Sequence, residues 1–404
     1  MNDVTGDAKP RGGSAKPIST ETGASSRVAA IDLLRGLVMV LMALDHTRAV
    51  FHASDISVRD VGEPALFLTR WVTHICAPTF IFLAGLSANL FGEKVGDRAK
   101  LARFLLSRGV FLMALELSLV HLAWAFSAGH SVFALQVIWA IGASMVALAG
   151  LIYLPLTAIA AIGVAMIAGH NLADAIKADD LGQWAWLWHV LHERGSVYPL
   201  PDVRLIVVYP IIPWIGVMAV GYALGPVYRL EAGERVRALI GLGVGLIAAF
   251  LVLRISNIYG DPVPWDPQTT WWSSVLAILN CEKYPPSLAY LLMTLGPALV
   301  LLGLFEGVRG RLAQWITVFG RVPFFYYLAH LAWIGVLSLV LTMLSAGGFD
   351  GLSDAGGLQK SNRFSVGLGG VYLLWLFVVV TLYPLCAWFA RLKRTRAGWW
   401  WRYL

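Results

Sequence analysis

The chain has 404 residues, of which 58% are hydrophobic and only 14% charged, and its mean hydropathy is +0.69. A soluble domain carries roughly a quarter charged residues, so this composition excludes an ordinary soluble protein and favours a polytopic membrane protein. The net charge of +7 fits either a nucleic-acid surface or a membrane topology, and the distribution of the basic residues decides between them.

The N-terminal segment 1–27 is polar and rich in Gly, Ser, Thr, Lys and Arg, which predicts a disordered cytoplasmic tail. It is not a signal peptide, because the apolar run after it is too long and has no cleavage-type exit. The three cysteines are scattered along the chain without the spacing of a disulfide framework or a metal site, so no metal is expected.

Ten segments are long and apolar enough to cross a bilayer, which needs about 20 residues. They are residues 31–52, 66–91, 104–126, 132–152, 155–170, 204–226, 236–258, 287–306, 322–345 and 366–391. The prediction is an all-α bundle of about ten transmembrane helices over residues 28–391, followed by a basic aromatic tail over 392–404. No internal repeat is visible, which argues against a symmetric transporter core.

The basic residues concentrate at one end of these spans. The groups are Lys9, Arg11, Lys16, Arg27; Lys94, Arg98, Lys100, Arg103, Arg108; Arg229, Arg235, Arg237; Arg309, Arg311; and Arg391, Lys393, Arg394, Arg396, Arg402. The alternate loops hold few, so the positive-inside rule predicts that both termini are cytoplasmic. Once the charges are sorted in this way, no single basic face remains for nucleic acid.

The first span carries an unusual number of titratable side chains. Consecutive helix residues turn by about 100°, so Arg35 and His46 share one face, with His46 about 16 Å further outward. Asp45, Arg48 and His52 form a second stripe. A charge at the bilayer centre costs about 2.5 to 3.5 kcal/mol, so such groups usually face the bundle interior or a cavity. The alternatives are that Arg35 snorkels to the inner phosphates and that His46 bonds two helices.

Further polar residues occur in or beside the later spans. Those predicted to bind a substrate are Arg48, Arg70, His74, Glu116, Arg254, Lys283 and Tyr284, and those predicted to bind a cofactor are Arg35, Arg321 and His330. Spans one, two, three, seven and nine are expected to surround the cavity. For each residue taken singly, a structural bond between helices is an equally good interpretation. The two prolines of the loop "NCEKYPPS" can equally begin span eight.

The segment "RGLVMVLMALDH" has an Arg, ten residues and a His, a signature of the acyltransferase-3 family of membrane acyltransferases. The wider stretch "RVAAIDLLRGLVMVLMALDHTRAVFH" resembles the bacterial branch of the heparan-α-glucosaminide N-acetyltransferase catalytic-domain family. The later stretches "TRWVTHICAPTFIFLAGLSA", "VYPIIPWIGVMAVGYALGP", "KYPPSLAYLLMTLGPAL" and "GRVPFFYYLAH" are also similar to that family, so the resemblance runs from Arg27 onward.

This resemblance implies a donor, acetyl-CoA or another acyl-CoA, that is reached from the cytosol, and an acceptor on the outer side, commonly a sugar hydroxyl or amine. In the animal enzymes the important His follows the first span and an Asn precedes it. By position His52 resembles that His, and His46 stands where the Asn would be. The glycine-rich stretch between them is absent here, so His46, His52 and Asp45 all remain catalytic candidates.

A histidine suits the chemistry, because acyl transfer to a hydroxyl needs a base with a pKa near neutrality. We take His46 as the general base and Arg35 as a ligand for a phosphate or the pantetheine arm of CoA. An acyl-histidine intermediate stays open as an alternative. Asp45 cannot readily orient His46, because neighbouring residues on a helix face apart, so the orienting group is expected on another helix.

The sequence thus predicts a transmembrane acyltransferase of the bacterial cytoplasmic membrane that moves an acyl group, in the first place acetyl, from cytosolic acyl-CoA to an extracytoplasmic glycan or glycolipid. The alternative is an ion- or proton-coupled small-molecule transporter, because buried Asp, Glu, His and Arg would serve it equally well. The expected partners are the lipid bilayer, acyl-CoA and the acceptor. The oligomeric state stays open, with a homodimer among the alternatives.

Overall fold

The computed structural model describes residues 20–53, 57, 59–123, 132–200, 203–345 and 364–396, with side chains from residue 29 onward. Most of this part of the chain is α-helical, which confirms the predicted all-α membrane bundle. The helices are α1 (Thr20–Phe51), α2 (Pro64–Thr73), α3 (Cys76–Val95), α4 (Arg98–Leu115), α5 (Val137–Leu151), α6 (Leu156–Gly169), α7 (Ala185–Leu191), α8 (Ile211–Ala223), α9 (Ala232–Ser256), α10 (Trp271–Leu279), α11 (Leu288–Leu304), α12 (Arg311–Arg321), α13 (Pro323–Ser345) and α14 (Leu368–Thr395).

Each of the ten predicted spans overlaps one of these helices or, for 66–91, the pair α2 and α3. Within the described residues, seven helical segments are long and apolar enough to cross a membrane. Helices α5 and α11 are apolar but shorter, and the apolar part of α1 from residue 31 onward carries four charged side chains, Asp32, Arg35, Asp45 and Arg48. The number of crossings therefore stays a prediction, whereas the membrane class of the protein is established by the seven segments.

Two of the predicted segments differ in extent or continuity from the helices observed. Helix α1 begins at Thr20, inside the segment that was predicted to be a polar tail, and residues 1–19 and 397–404 of the two tails lie outside the described residues. The span 66–91 is broken at His74 and Ile75. Pro78 in the first turn of α3 explains the break, because a proline ring clashes with the carbonyl four residues earlier.

The predicted spans 132–152 and 204–226 begin as strands instead of helix. Strands β1 (Val132–Leu135), β2 (Gly195–Leu200) and β3 (Val203–Val207) form a small sheet in the order β1-β3-β2. Strand β1 pairs parallel to β3 with Val132 opposite Arg204, and β2 pairs antiparallel to β3. Hydropathy does not separate these apolar strands from the helices that follow them, since a short apolar run fits either structure.

Glycines set the closest helix crossings. A Cβ atom on Gly320 of α12 would lie 1.8 Å from the carbonyl oxygen of Asp32, and one on Gly36 of α1 would lie 2.1 Å from that of Ile316. Such small residues let backbones approach in membrane bundles. The same arrangement recurs at Gly85 and Gly221 (α3/α8), Gly109 and Gly142 (α4/α5), Gly163 and Gly216 (α6/α8), and Gly243 and Gly296 (α9/α11). Because only Val322 separates α12 from α13, the α1/α12 crossing also fixes α13 beside α1.

Candidate active site

Two histidines from helices α1 and α13 meet inside the bundle. The Nδ1 atom of His46 lies 2.8 Å from the Nε2 atom of His330, and Nδ1 of His330 lies 2.7 Å from the carbonyl oxygen of Tyr326. A carbonyl only accepts, so Nδ1 of His330 carries the hydrogen and its Nε2 is the acceptor. His46 must then donate from Nδ1, which leaves the lone pair of a neutral imidazole on its Nε2. The network therefore selects the tautomer in which His46 Nε2 can take a proton.

The two histidines differ in exposure. His330 is fully buried, whereas His46 keeps part of its surface accessible. The ring of Tyr327 stands edge-on to His46, with the ring centroids 6.3 Å apart. His46 is thus held by a buried hydrogen-bond partner and keeps part of its own surface accessible, as a positioned proton acceptor requires.

A cavity of about 410 Å³ runs beside α1 from Arg35 to Met42. Its walls come from α1, α3, α4, α5, α13 and α14 and from the end of α12. The walls are mostly apolar and include several phenylalanine and methionine side chains. The cavity ends at Met42 and Tyr327, and His46 lies one helical turn beyond Met42. The open space therefore reaches the residues that contact the histidine pair.

Four cationic side chains line this cavity: Arg35, Arg108, Arg321 and Lys393. Arg35 donates to Asp32 Oδ1 at 2.9 Å and to Ser87 Oγ at 3.0 Å, so its guanidinium is held at the cavity wall. The snorkelling alternative would instead direct it to the lipid phosphates. Such a cluster of cations suits phosphate groups, which accept charge-assisted hydrogen bonds.

The outer side of the histidine pair carries a second group of charged residues. The Asp45 carboxylate forms ion pairs with Arg48, at 3.0 Å, and with Arg70 of α2. The side chains of Asp45 and Arg70 each keep 15% of their surface accessible, so they border open space although they lie within the bundle. Because both oxygens of Asp45 already bind arginines, the orienting partner of His46 is His330, which comes from another helix as expected.

The loop of residues 280–287 brings Lys283 and Tyr284 to this outer group. The Lys283 ammonium lies 5.2 Å from the centroid of the Tyr284 ring, and Tyr284 lies beside Arg70. A residue of the preceding loop fixes the backbone of this loop: Asp261 Oδ2 accepts hydrogen bonds from the Glu282 amide at 2.9 Å and from Ser287 Oγ at 2.7 Å. The loop therefore does more than begin α11, since its fixed backbone positions two side chains at the site.

A polar network on the adjacent loop supports the same segment. His170 Nε2 donates to the carbonyl oxygen of Pro286, at 2.8 Å. Asp174 accepts from His192 Nε2 at 3.0 Å and from Asn171 Nδ2 at 2.8 Å. Partial burial raises the pKa of Asp174, but the hydrogen bonds from His192 and Asn171 outweigh it, so the pKa is lowered below its usual value. The charged form of Asp174 thus stabilises this loop.

Two residues predicted to bind substrate serve structural contacts instead of lining the cavity. Glu116 is 1% exposed, and its Oε2 accepts the backbone amide of Trp139 at 2.9 Å, which caps the first turn of α5. Arg254 donates to the carbonyl oxygens of Ile278 and Val263, at 3.0 and 2.7 Å, and thereby ties α9 to the outer loops. Span seven was expected at the cavity, but its Arg254 lines only a smaller outer pocket.

The remaining predicted residues lie at the outer end of the site. His52 follows the end of α1 and forms a β-bridge with Val366, about 9 Å further along the helix axis than His46. His74 stands at the break between α2 and α3, where its carbonyl oxygen accepts from the Tyr290 hydroxyl at 2.9 Å. The cavity lining therefore stops one helical turn short of His46, and His52 lies further away, just past the end of α1.

Sequence reasoning missed several residues of the site. Arg108 and Lys393 were interpreted only as topology charges, although both line the cavity, and Tyr327 was not considered. The signal for Lys393 was its place in the last turn of a span, where its long chain reaches inward. His330 was predicted among the cofactor ligands, but the structure pairs it with His46.

The comparison with protein families agrees with this geometry. A family model described as "Heparan-alpha-glucosaminide N-acetyltransferase, catalytic" matches residues 27–253, more than half of the 404-residue chain. No curated protein matches the chain. The matched region includes α1 with Arg35 and His46, both arginines that bind Asp45, and the cavity walls from α3 to α5. The chain therefore belongs to the heparan-α-glucosaminide N-acetyltransferase catalytic family and is a transmembrane acetyltransferase.

Proposed function

We propose that this protein transfers an acetyl group from cytosolic acetyl-CoA to a hydroxyl or amine of a glycan or glycolipid on the outer side of a bacterial cytoplasmic membrane. The observation that supports the proposal is that the cation-lined cavity reaches Tyr327, whose ring stands edge-on to His46 of the histidine pair. A cavity of about 410 Å³ is within the range of small-molecule sites. It suits the acyl and pantetheine part of the donor, with the nucleotide part outside it near the cations.

The proposed donor orientation follows from the charges. Arg35, Arg108, Arg321 and Lys393 would bind the phosphates of CoA, and the apolar walls would bind the pantetheine arm. Arg35 and His46 are about 16 Å apart along α1, so a donor extended along this helix would bring its thioester near His46. The basic ends of the spans make the cation end the cytoplasmic end.

The proposed chemistry is direct transfer with His46 as general base. Nε2 of His46 takes the proton of the acceptor hydroxyl or amine as the acceptor attacks the thioester carbonyl. The tetrahedral intermediate then expels the CoA sulfur, which receives the proton from the His46 imidazolium. His330 is the positioning residue, because its hydrogen bond holds the His46 tautomer and stabilises the imidazolium. His52 lies outward of this point, where it would meet the acceptor instead of the thioester.

The test uses purified protein in lipid nanodiscs with radiolabelled acetyl-CoA. Arg35→Ala should weaken acetyl-CoA binding, because it removes a fixed cation from the cavity. His46→Ala should keep acetyl-CoA binding and lose about 10²- to 10⁴-fold of turnover. His52→Ala is the matched control, and its turnover should fall far less than that of His46→Ala.

The opposite results favour other interpretations. A wild-type protein that binds no acetyl-CoA at millimolar concentration would support the transporter. A loss of turnover in His52→Ala that exceeds the loss in His46→Ala would assign the base to His52. Label that stays covalently attached to the protein after removal of the acceptor would indicate an acyl-histidine intermediate.

A further inference from the structure

The outer group of charged residues holds more positive than negative charge. Arg48 and Arg70 form ion pairs with the single carboxylate of Asp45, and Lys283 is a third cation that lies over the Tyr284 ring, beside Arg70. Lys283 is 7% exposed, and no carboxylate among the described residues forms an ion pair with it. Charges that are removed from water are expensive unless they are paired, so an excess of cations at such a place calls for an anion.

The acidic residue that precedes Lys283 in the chain, Glu282, forms no ion pair with the Lys283 ammonium among the described residues. Glu282 forms an ion pair with Arg59 at 2.7 Å, and its other oxygen accepts the backbone amides of Lys283 and Tyr284, each at 3.1 Å. The Lys283 ammonium instead lies over the Tyr284 ring. Arg48 adds a second unsatisfied group, because its buried Nε has no hydrogen-bond partner in the part of the chain that the structure describes.

These cations stand at the outer side of the histidine pair, not in the donor cavity. None of the three lines that cavity, and Arg48 and Arg70 pair with Asp45, the residue that precedes His46 in α1. Asp45 and Arg70 border open space. An anion bound here would therefore lie next to the group that His46 deprotonates.

We infer that the acceptor carries an anionic group, a carboxylate or a phosphate, which Lys283, Arg70 and Arg48 bind beside the hydroxyl or amine that becomes acetylated. This inference rests on the proposed function and adds the chemical class of the acceptor. A carboxylate or phosphate can accept hydrogen bonds from both guanidinium groups and from the ammonium, which matches the three cations Arg48, Arg70 and Lys283.

The first experiment measures anion binding without knowledge of the acceptor. Purified protein saturated with CoA, which blocks the donor cavity, is titrated with inorganic phosphate against chloride of equal ionic strength, and Tm is recorded. Phosphate should raise Tm of the wild type. Lys283→Met should weaken phosphate binding at least about tenfold, since a charge-assisted hydrogen bond is lost. Lys283→Arg should retain it, and Arg204→Gln, an exposed cation of β3, is the matched control.

The second experiment separates the two sources of the anion. Acetyl transfer is compared within two pairs of acceptors, glucosamine against glucosamine 6-phosphate and glucose against glucuronate. One anionic member should exceed its neutral partner at least about tenfold in kcat/KM, and Lys283→Met should remove most of that preference. Lys283 has no ion pair to lose among the described residues, so the variant is expected to fold.

The outcomes distinguish this inference from the proposed function. Equal phosphate binding by wild type and Lys283→Met, or equal use of neutral and anionic sugars, would overturn the anionic acceptor while transfer to either sugar still upholds the acetyltransferase. Failure of the wild type to bind CoA would overturn the proposed function. A phosphate effect on Tm that depends on Lys283 supports the inference even when neither sugar pair is acetylated.

Discussion

Replacement of His330 by alanine tests the role of the histidine pair most directly. The substitution removes the His330 Nε2 atom, which accepts from His46 Nδ1–H at 2.8 Å. It also removes the His330 Nδ1–H group, which donates to the carbonyl oxygen of Tyr326 at 2.7 Å. The His46 ring then loses the contact that selects its tautomer and its orientation. During proton transfer the imidazolium also loses a charge-assisted hydrogen bond.

The expected size of the effect follows from that bond. A hydrogen bond to a charged group contributes about 1.5 to 3 kcal/mol, which corresponds to about a 10- to 150-fold lower rate of the chemical step. His46→Ala should lose more, about 10²- to 10⁴-fold, because the base itself is gone. In the double variant the His330 substitution should cause little further loss, since His330 acts through His46.

The assay is single-turnover transfer of radiolabelled acetyl, together with the Kd for acetyl-CoA. His330→Ala should lower the single-turnover rate and leave the Kd for acetyl-CoA unchanged. Losses that multiply in the double variant would refute this prediction, because His330 would then act independently of His46. A higher Kd with an unchanged rate would refute it in favour of the donor-binding role that the sequence predicted for His330.

Three further predictions concern packing, donor binding and pH. Gly320→Ala should lower the free energy of unfolding by about 1 to 3 kcal/mol in a denaturant titration, because the new Cβ atom would lie 1.8 Å from the α1 backbone. Gly335→Ala is the control and should leave this free energy unchanged, because no atom of the described residues lies within 4 Å of its Cβ position. Arg321→Gln should raise the Kd for acetyl-CoA about three- to tenfold in equilibrium binding, and the exposed Arg311→Gln, which is outside the cavity lining, should leave it unchanged. Asp174→Asn should lower the free energy of unfolding by less than about 1 kcal/mol, measured as a slightly lower Tm, because the Asp174 side chain is partly exposed and solvent screens its interactions. Since the folded pKa of Asp174 is lowered, its contribution is present above the unfolded pKa and disappears as pH falls through the folded pKa, so the two Tm values should converge in acid; a gap that persists there would contradict this account.

For the proposed base His46, the sequence predicts its position on α1, whereas only the structure shows its partner. The 100° turn per residue puts Arg35 and His46 on one face of the first span whatever the neighbours are, so the stripe was predictable. The partner of His46 was not, because His330 is 284 residues away in the chain. Whether His46 faces lipid or a cavity depends on the rotation of α1 against α13, which a single span does not specify.

Glu116 and Arg254 show the converse. Both are intramembrane ionisable residues, which by themselves suggest function, yet the structure uses Glu116 to cap α5 and Arg254 to hold loop carbonyls. A sequence lists the donors and acceptors but not which backbone groups lack partners. Those groups arise only when helices end against one another.

The sequence by itself determined that the chain is a helical membrane protein, which of its ends carry the basic charge, and that one face of α1 holds an arginine and a histidine. These follow from local composition and helical periodicity. Only the tertiary structure decided that α4, α5 and α14 line the cavity, that His330 contacts His46, and that Arg48 and Arg70 both pair with Asp45. The physical reason is that lipid and the interior of the helix bundle are equally apolar, so hydropathy does not determine which helices pack together. Close contacts at glycines and hydrogen bonds between helices determine that packing.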